Sequence, residues 1–519
     1  MVRVSMGRSV SEIGPRRWPW LARVGALVAS LACGFFTQYQ AAAPCVIGFH
    51  FSYLSFVYME HKLWIQYMCS LLVSIGLALS MSQIFRPDTE SWSWTSAGIV
   101  LGIQAVVLHA YFLAARVHCR LVRLSNKTMV VFAYPVIVSC LYAVVCLFTP
   151  VGSQTSPAYA FADFQSLTQL VSLFGTSGLT FVVLSMSALL CHAFVIDTRS
   201  GDRSRRRTVI VSGVVIFFVS WLFGSLRLVA PLMYQRSVAE TATPANAWVD
   251  AACIVRSGND TDMVSQTRTV LAQGNVKLVL WSEVAGGVFY DDSTRPLSRD
   301  WQKPLLSQTM GEVKDLAIQF NATIGIAYAV WAKPDAFFDD TRYNRLTFVD
   351  PNAEMVLNYT KRYPVPVIES LTLPGNGAVG YGSSRTIGDF NAAICFDLDH
   401  PEFIRTGVTT GLLVQSANTW GIVGHYHAIG SAFRAIENGV HVVRCGSNGP
   451  SGLYDPYGNP LLYQTRADSD VIYFQVPVSP PRVWTVYSHF GFAFDYLLLV
   501  ATGVYILILV ISFRSRSRL

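Results

Sequence analysis

The sequence predicts a polytopic α-helical membrane bundle that carries one α/β domain. Three observations lead there. Apolar residues make up 52% of the 519-residue chain and charged residues only 14%, where a soluble domain is nearer a quarter charged. The deficit is uneven: residues 18–230 are almost continuously apolar, 240–490 read as an ordinary globular domain, and the tail is apolar again. The basic residues behind the net charge of +7 fall in short runs between apolar stretches, which is how membrane topology is written and not how a nucleic-acid groove is written. The expected organisation is about seven helices in residues 1–230, a globular domain in 240–490 and a final span at 494–513.

A span needs about twenty apolar residues. The segments that qualify are Trp18–Gln38, Pro44–Met59 (short), Leu63–Ile84, Trp94–Ala115, Met129–Thr149, Leu170–Ile196, Thr208–Ala230 and Phe494–Phe513. Ala41–Ala43 resembles a signal cleavage site, but the apolar stretch before it is too long and Pro44 follows it, so the first span is read as retained. The loops then sort by Lys and Arg. Arg3 to Arg23, Lys62, Arg116 to Lys127, Arg199 to Arg207 and Arg514 to Arg518 fall on one side, and a single Arg86 falls in the short loops of the other. The positive-inside rule makes the first side cytoplasmic. Both termini are then cytoplasmic and residues 231–493 lie on the non-cytoplasmic side. The intramembrane His50, His109, His192 and Arg227 are read as groups satisfied by neighbours or by snorkelling.

Of ten cysteines, seven (Cys33, Cys45, Cys69, Cys119, Cys140, Cys146, Cys191) lie in or beside apolar segments without metal-like spacing. Cys253, Cys395 and Cys445 fall in the globular part. Cys253 and Cys445 sit in strand-like runs, where a buried free thiol is the plainer reading and a disulfide the alternative.

The globular region alternates strand-like runs (249–255, 276–280, 323–328, 345–349, 391–394, 412–415, 441–444, 471–476) with helix-like ones (261–274, 307–321, 401–407, 425–438). That pattern means sheets covered by helices. No dinucleotide-binding glycine motif, P-loop or zinc spacing is present, and no cofactor or metal is expected. Three positions carry chemistry. LVLWSE puts Glu283 after a buried strand, where partial desolvation suits a general base. NYTKRY sets Lys361 among aromatics as a donor to a developing oxyanion. AAICFD puts Cys395 at a strand end, where a base and a cation can activate a thiol. Residues 364–382, rich in Pro and Gly, read as a loop over an apolar mouth.

In that chain order Glu283, Tyr359-Thr360-Lys361 and Ile394-Cys395-Phe396 resemble the signature of the carbon–nitrogen hydrolase (nitrilase) superfamily, with Tyr343-Asn344 and Asp455-Pro456-Tyr457-Gly458 as further landmarks. The resemblance implies an α-β-β-α sandwich. The closer resemblance, over nearly the whole chain, is to its apolipoprotein N-acyltransferase branch. Seven spans, a non-cytoplasmic nitrilase domain and one last span match that branch. So do Ala162-Asp163-Phe164 with the run Gly175 to Phe181, Val365-Pro366 with Glu369, Ser416 to Trp420, and Arg434 to Asn438. It departs at Ser282 and Val284 around the base, at Phe396-Asp397 after the thiol, and at Thr419.

The resemblance implies that Glu283 takes the thiol proton of Cys395, that the thiolate attacks a phospholipid ester, that Lys361 stabilises the oxyanion, and that an amine resolves the thioester. Expected partners are the bilayer, a phospholipid donor and an amine acceptor such as a lipoprotein N-terminus, with no nucleic acid. Glu369, Asp397, Tyr359, Asn418 and Trp420 are assigned supporting or lid positions. The departures beside the thiol and at Thr419 predict an altered acceptor pocket. The rival readings are an anchored amidase with water as acceptor, and an inactive scaffold or transporter that keeps the fold.

Overall fold

Strict period-two alternation is what makes the globular region build two sheets with three apolar layers. In the computed structural model, residues 20–39, 43–84, 94–124, 128–154, 156–239, 248–255, 262–289, 306–332, 341–366, 368–419, 421–465 and 471–516 are described. Along strand β1 (Trp248–Ile254), Ala251 and Cys253 point one way while Ala252 and Ile254 point the other. Strands β2 (Leu278–Trp281), β3 (Val288–Phe289), β4 (Thr323–Trp331), β5 (Arg342–Val349) and β6 (Met355–Thr360) join β1 and the last strand in a seven-stranded sheet. Strands β7 (Gly380–Ser384), β8 (Gly388–Ile394), β9 (Leu412–Asn418), β10 (His441–Ser447), β11 (Ser451–Tyr454) and β12 (Pro460–Gln464) form the second sheet, and β13 (Val471–Pro477) returns to pair with β1.

The inward faces meet in one core, where Phe348 of the first sheet packs on Phe390 of the second at 4.7 Å between ring centroids. Outer residues of the first sheet pack under helices α1 (Met263–Gln273) and α2 (Leu306–Phe320), and those of the second under α3 (Pro401–Gly407) and α4 (Gly421–Asn438). The result is the expected α-β-β-α sandwich. Cys253 and Cys445 face each other across the inter-sheet core and form a disulfide, with Cα atoms 5.4 Å apart. This corrects the free-thiol reading: each cysteine lies on the inward face of its own strand, and the packing of two sheets brings together residues 192 positions apart.

Strands β6 and β7 extend the sheets beyond the strand-like runs read from the sequence, and β7 takes in the end of the 364–382 loop. The glycines there are packing residues: a Cβ on Gly382 would lie 2.7 Å from the Phe390 ring, and one on Gly380 would lie 3.0 Å from Leu357. A glycine-rich run therefore reads as loop from sequence while forming an edge strand over bulky neighbours.

Helices occupy all eight expected membrane segments: Trp20–Tyr39, Ala43–Met59, Leu63–Ile84, Trp94–Leu124, Ala133–Phe148 behind a 3-10 turn, Val171–Cys191, Arg203–Ala239 and Ala493–Arg516. Among the described residues, five stretches are long and apolar enough to cross a membrane: Ala105–Leu124, Thr128–Phe148, Val171–Ile196, Arg203–Val229 and Ala493–Ser512. The polar groups inside the bundle have partners. His50 bonds Tyr134 at 2.9 Å, His109 bonds Tyr67 at 2.7 Å, His192 meets His118 at 3.1 Å, and Arg227 donates to Gln169 at 3.1 Å.

Candidate active site

Strand direction gathers the site. β1, β2 and β4 run parallel, and the antiparallel pairs β4–β5 and β5–β6 return β6 to the same direction. Glu283 after β2 and Lys361 after β6 therefore emerge at one end of the first sheet. Cys395 after β8 and Asn418 at the end of β9 emerge from the parallel part of the second. Carboxyl ends of parallel strands are where open α/β sheets form their crevices.

Glu283 is 4% exposed and accepts three hydrogen bonds. Asn344 Nδ2 and Lys361 Nζ each donate to Oε1 at 2.7 Å, and the Asn418 backbone N–H donates to Oε2 at 2.7 Å. The two sheets are tied at this point, because Glu283 N donates to Ala417 O at 3.2 Å and Ser416 Oγ donates to Trp281 O at 2.7 Å. Cys395 Sγ stands 3.6 Å from the carbonyl of the same Asn418 whose N–H holds Glu283, so carboxylate and thiol meet the backbone of one residue. Two non-glycine residues here have left-handed backbones, Val284 at φ +56° and Cys395 at φ +46°. Such conformations cost about 1–3 kcal/mol each and persist only where the surroundings hold them.

Lys361 is fully buried and reaches Glu369 Oε1 at 2.9 Å and Oε2 at 2.7 Å as well as Glu283. Burial pushes its ammonium down, but Glu283, Cys395 and Glu369 more than offset this, and the net shift is well upward. Lys361 is therefore a fixed cation. Burial pushes the Cys395 thiol well above its usual range, and the charge of Glu283 adds to this against Lys361 and Arg444. The resting sulfur is a neutral thiol, which requires a base at the moment of attack. Glu369 is also pushed up, first by burial, and also accepts from Val365 N.

Asp397, expected beside the acceptor, is instead fully buried and has both oxygens filled. Arg362 N and Tyr363 N donate to Oδ1 at 3.0 and 2.8 Å, and Tyr359 Oη and Ile394 N donate to Oδ2 at 2.7 and 3.0 Å. It ties the thiol's turn to the lysine's segment. Phe396 is also fully buried, against His400 and His427, and Thr419 is 2% exposed with its N–H on Ser447 O. Of the departures from the family pattern, Ser282, Phe396, Asp397 and Thr419 are buried, while Val284 is half-buried. Asn418 is exposed, and its Oδ1 accepts from Asn448 at 3.2 Å. Trp420 lies outside the described residues. Two site residues escape the sequence reading of roles. Asn344 holds the base from mid-strand, and Gln415 Nε2 donates to the Cys395 carbonyl at 3.0 Å. Asn344 was legible only as a landmark beside Tyr343.

Residues 239–480 match the model of the family described as carbon-nitrogen hydrolase. An amidase from Nesterenkonia sp. is 16% identical, with a TM-score of 0.35 over 44% of this chain and 91% of that one. The chain is 22% identical over 464 residues to an apolipoprotein N-acyltransferase of Borreliella burgdorferi, covering 82% of this chain and 83% of that protein. It is also 22% identical over 370 residues to an apolipoprotein N-acyltransferase of Rickettsia bellii, covering 64% of this chain and 66% of that protein. Residues 239–480 thus carry a carbon-nitrogen hydrolase domain, joined to a helical region with long apolar helices. The chain is apolipoprotein N-acyltransferase-like, a likeness that extends beyond the domain into the helices.

Proposed function

We propose that the protein is a membrane N-acyltransferase that moves an acyl chain from a phospholipid, through a thioester on Cys395, to an amine acceptor. The observation that carries the reading is the Glu283–Asn418–Cys395 arrangement with Lys361 buried beside it, in a domain joined to a membrane bundle. Glu283 takes the thiol proton as Sγ attacks the ester carbonyl. The S–C bond forms, the oxyanion is met by Lys361, the C–O bond breaks, and the lysophospholipid alkoxide leaves with the proton from Glu283. An amine then attacks the thioester, the N–C bond forms, the S–C bond breaks, and the amine proton returns through Glu283 to Sγ.

Lysine has three N–H donors, and all three are engaged by Glu283 and Glu369 at rest. To meet an oxyanion, Lys361 gives up one oxygen of Glu369, which sits on the turn 368–370 at the edge of the site. The relatives' names and the apolar helices together favour a lipoprotein-type amine as acceptor. In this reading the division is 1–230, 240–490 and 494–513, with the catalytic domain on the non-cytoplasmic side. The loop charges and the Cys253–Cys445 disulfide, a bond that persists in oxidising compartments, support that side. The test is mass spectrometry of purified protein after incubation with phospholipid. The Cys395 peptide gains one acyl mass, and a diacylglyceryl-cysteine peptide then removes it as N-acyl product. Release as free fatty acid only, at the same rate with and without the peptide, would establish the hydrolase instead.

A further inference from the structure

The turn that carries the thiol is held at two ends by different parts of the chain. Cys395–Asp399 is a single 3-10 turn. Its first half is fixed within the globular domain by the four bonds to Asp397 and by Gln415, itself held by Ser431 Oγ at 2.7 Å. Its last residue is fixed by the membrane bundle. The Asp399 carbonyl accepts from Ser153 N at 2.7 Å and from Ser153 Oγ at 3.0 Å, and Ser153 Oγ also bonds Tyr159 Oη at 2.7 Å.

The approach is close enough to need a glycine. Gly152 has φ +60°, and a Cβ there would lie 2.1 Å from the Asp399 oxygen. The contact continues outward. Asp399 Oδ2 faces His427 Nδ1 at 3.5 Å, and His427 Nε2 meets Gln154 of the same bundle loop at 3.2 Å. Next to the loop, Tyr159 packs edge-on against Phe433 of α4 at 4.9 Å, in an apolar cluster shared by bundle and domain.

We propose that bundle loop 149–154 is a positioning element of the active site, in which Gly152 and Ser153 hold the Cys395–Asp399 turn so that Sγ faces Glu283. Because Cys395 has a strained backbone, the turn needs external hold at both ends. The bundle then does more than keep the domain at the bilayer: it completes the geometry of the nucleophile. Ser153 and Gly152 touch neither substrate nor the reacting atoms. They act through the Asp399 carbonyl, so they change the rate of chemistry and not the affinity for lipid.

This inference rests on the acyl-transfer reading only for its lipid readout, and thiol alkylation provides a readout free of it. The experiment uses full-length protein. Two constants are measured for Gly152→Ala, Ser153→Ala and Ser153→Thr: Cys395 alkylation by iodoacetamide, and acyl loading from phospholipid resolved into maximal rate and half-saturating lipid. Gly25→Ala is the control, since a Cβ there meets nothing within 4 Å.

Since an Å-scale misplacement costs up to about a hundredfold, the expectation for Gly152→Ala is a loss of about tenfold or more in both rates, with half-saturating lipid unchanged. Ser153→Ala loses roughly threefold to tenfold, and Ser153→Thr, which keeps the hydroxyl, recovers most of that. Wild-type alkylation and loading in both Gly152→Ala and Ser153→Ala would overturn the proposal, as would a loss that appears only in half-saturating lipid. If Gly152→Ala does not fold, seen as loss of protection of the Cys253–Cys445 disulfide from reductant, Ser153→Ala and its threonine rescue decide. Failure of wild-type protein to load lipid while alkylation still responds to Gly152 would count against the acyl-transfer reading and leave the positioning role standing.

Discussion

At the scale of single residues, the proposed mechanism divides the work among Glu283, Lys361 and Cys395 by protonation state. The raised thiol means that Cys395 is neutral near pH 7, so Glu283→Gln removes the acceptor for its proton and slows acyl loading by about two to four decades. Lys361→Ala removes the oxyanion donor, worth about 3–4 kcal/mol or two to three decades, and also leaves Glu283 and Glu369 facing each other without a cation. The double variant is little worse than the singles because the three act as a unit. Single-turnover loading rates check this, and near-wild-type loading in either single variant removes that residue from the mechanism. A second residue-scale prediction concerns Asp399. Burial raises its carboxyl to about 7 from an ordinary value near 4, against the pull of Arg434, Arg444 and Lys361. The folded state therefore prefers the protonated form. The ionised form carries a stability penalty that is full above pH 7 and fades as pH falls towards 4. Asp399→Asn is expected to raise the thermal midpoint relative to wild type at pH 8, and that advantage shrinks at pH 5 and is lost near pH 4. An advantage that is the same at pH 8 and pH 4 would place the penalty elsewhere.

At the scale of elements, Asp397 is the joint between the thiol turn and the segment after β6. Asp397→Glu lengthens the joint by one methylene and disturbs Tyr359, Ile394, Arg362 and Tyr363 at once. Loading and transfer to an amine are therefore expected to fall together, each by about tenfold or more. A fall in transfer with loading intact would return Asp397 to the acceptor side. The same element shows what the sequence made legible. Glu283, Lys361 and Cys395 each follow a strand, and buried apolar runs such as LVLW and AAI mark strands by their own composition. The four longer domain helices were readable for the same reason. Asn344, Gln415 and Ser153 were not readable as functional residues, because each acquires its role from a neighbouring strand or from the bundle. β7 was hidden by a polar, glycine-rich composition that makes sense only against Leu357 and Phe390. The disulfide was hidden too, since its register depends on how two sheets stack.

At the scale of the whole molecule, the disulfide and the loop charges make one joint claim about which side of the membrane holds the domain. The Cys253–Cys445 bond closes 192 residues and ties the first sheet to the second directly behind the site. Its loss is expected to cost about 2–5 kcal/mol, seen as a fall in the thermal midpoint of the Cys253→Ala/Cys445→Ala variant and of the reduced wild type alike. A midpoint indifferent to reductant would mean that the sheets are held by packing alone. The bond also needs an oxidising compartment, and this can be read independently. Ser383 is exposed on β7 of the domain, and Ser204 is exposed among the arginines at the start of the helix Arg203–Ala239. If Arg203 to Arg207 face the cytoplasm, a membrane-impermeant maleimide added to intact cells, after outer-envelope permeabilisation where there is one, labels Ser383→Cys. It reaches Ser204→Cys only once the inner membrane is opened, with unsubstituted protein as the background. The reverse pattern would put the domain in a reducing compartment, where neither the disulfide nor an acceptor amine displayed outside the cytoplasm fits the proposed reaction.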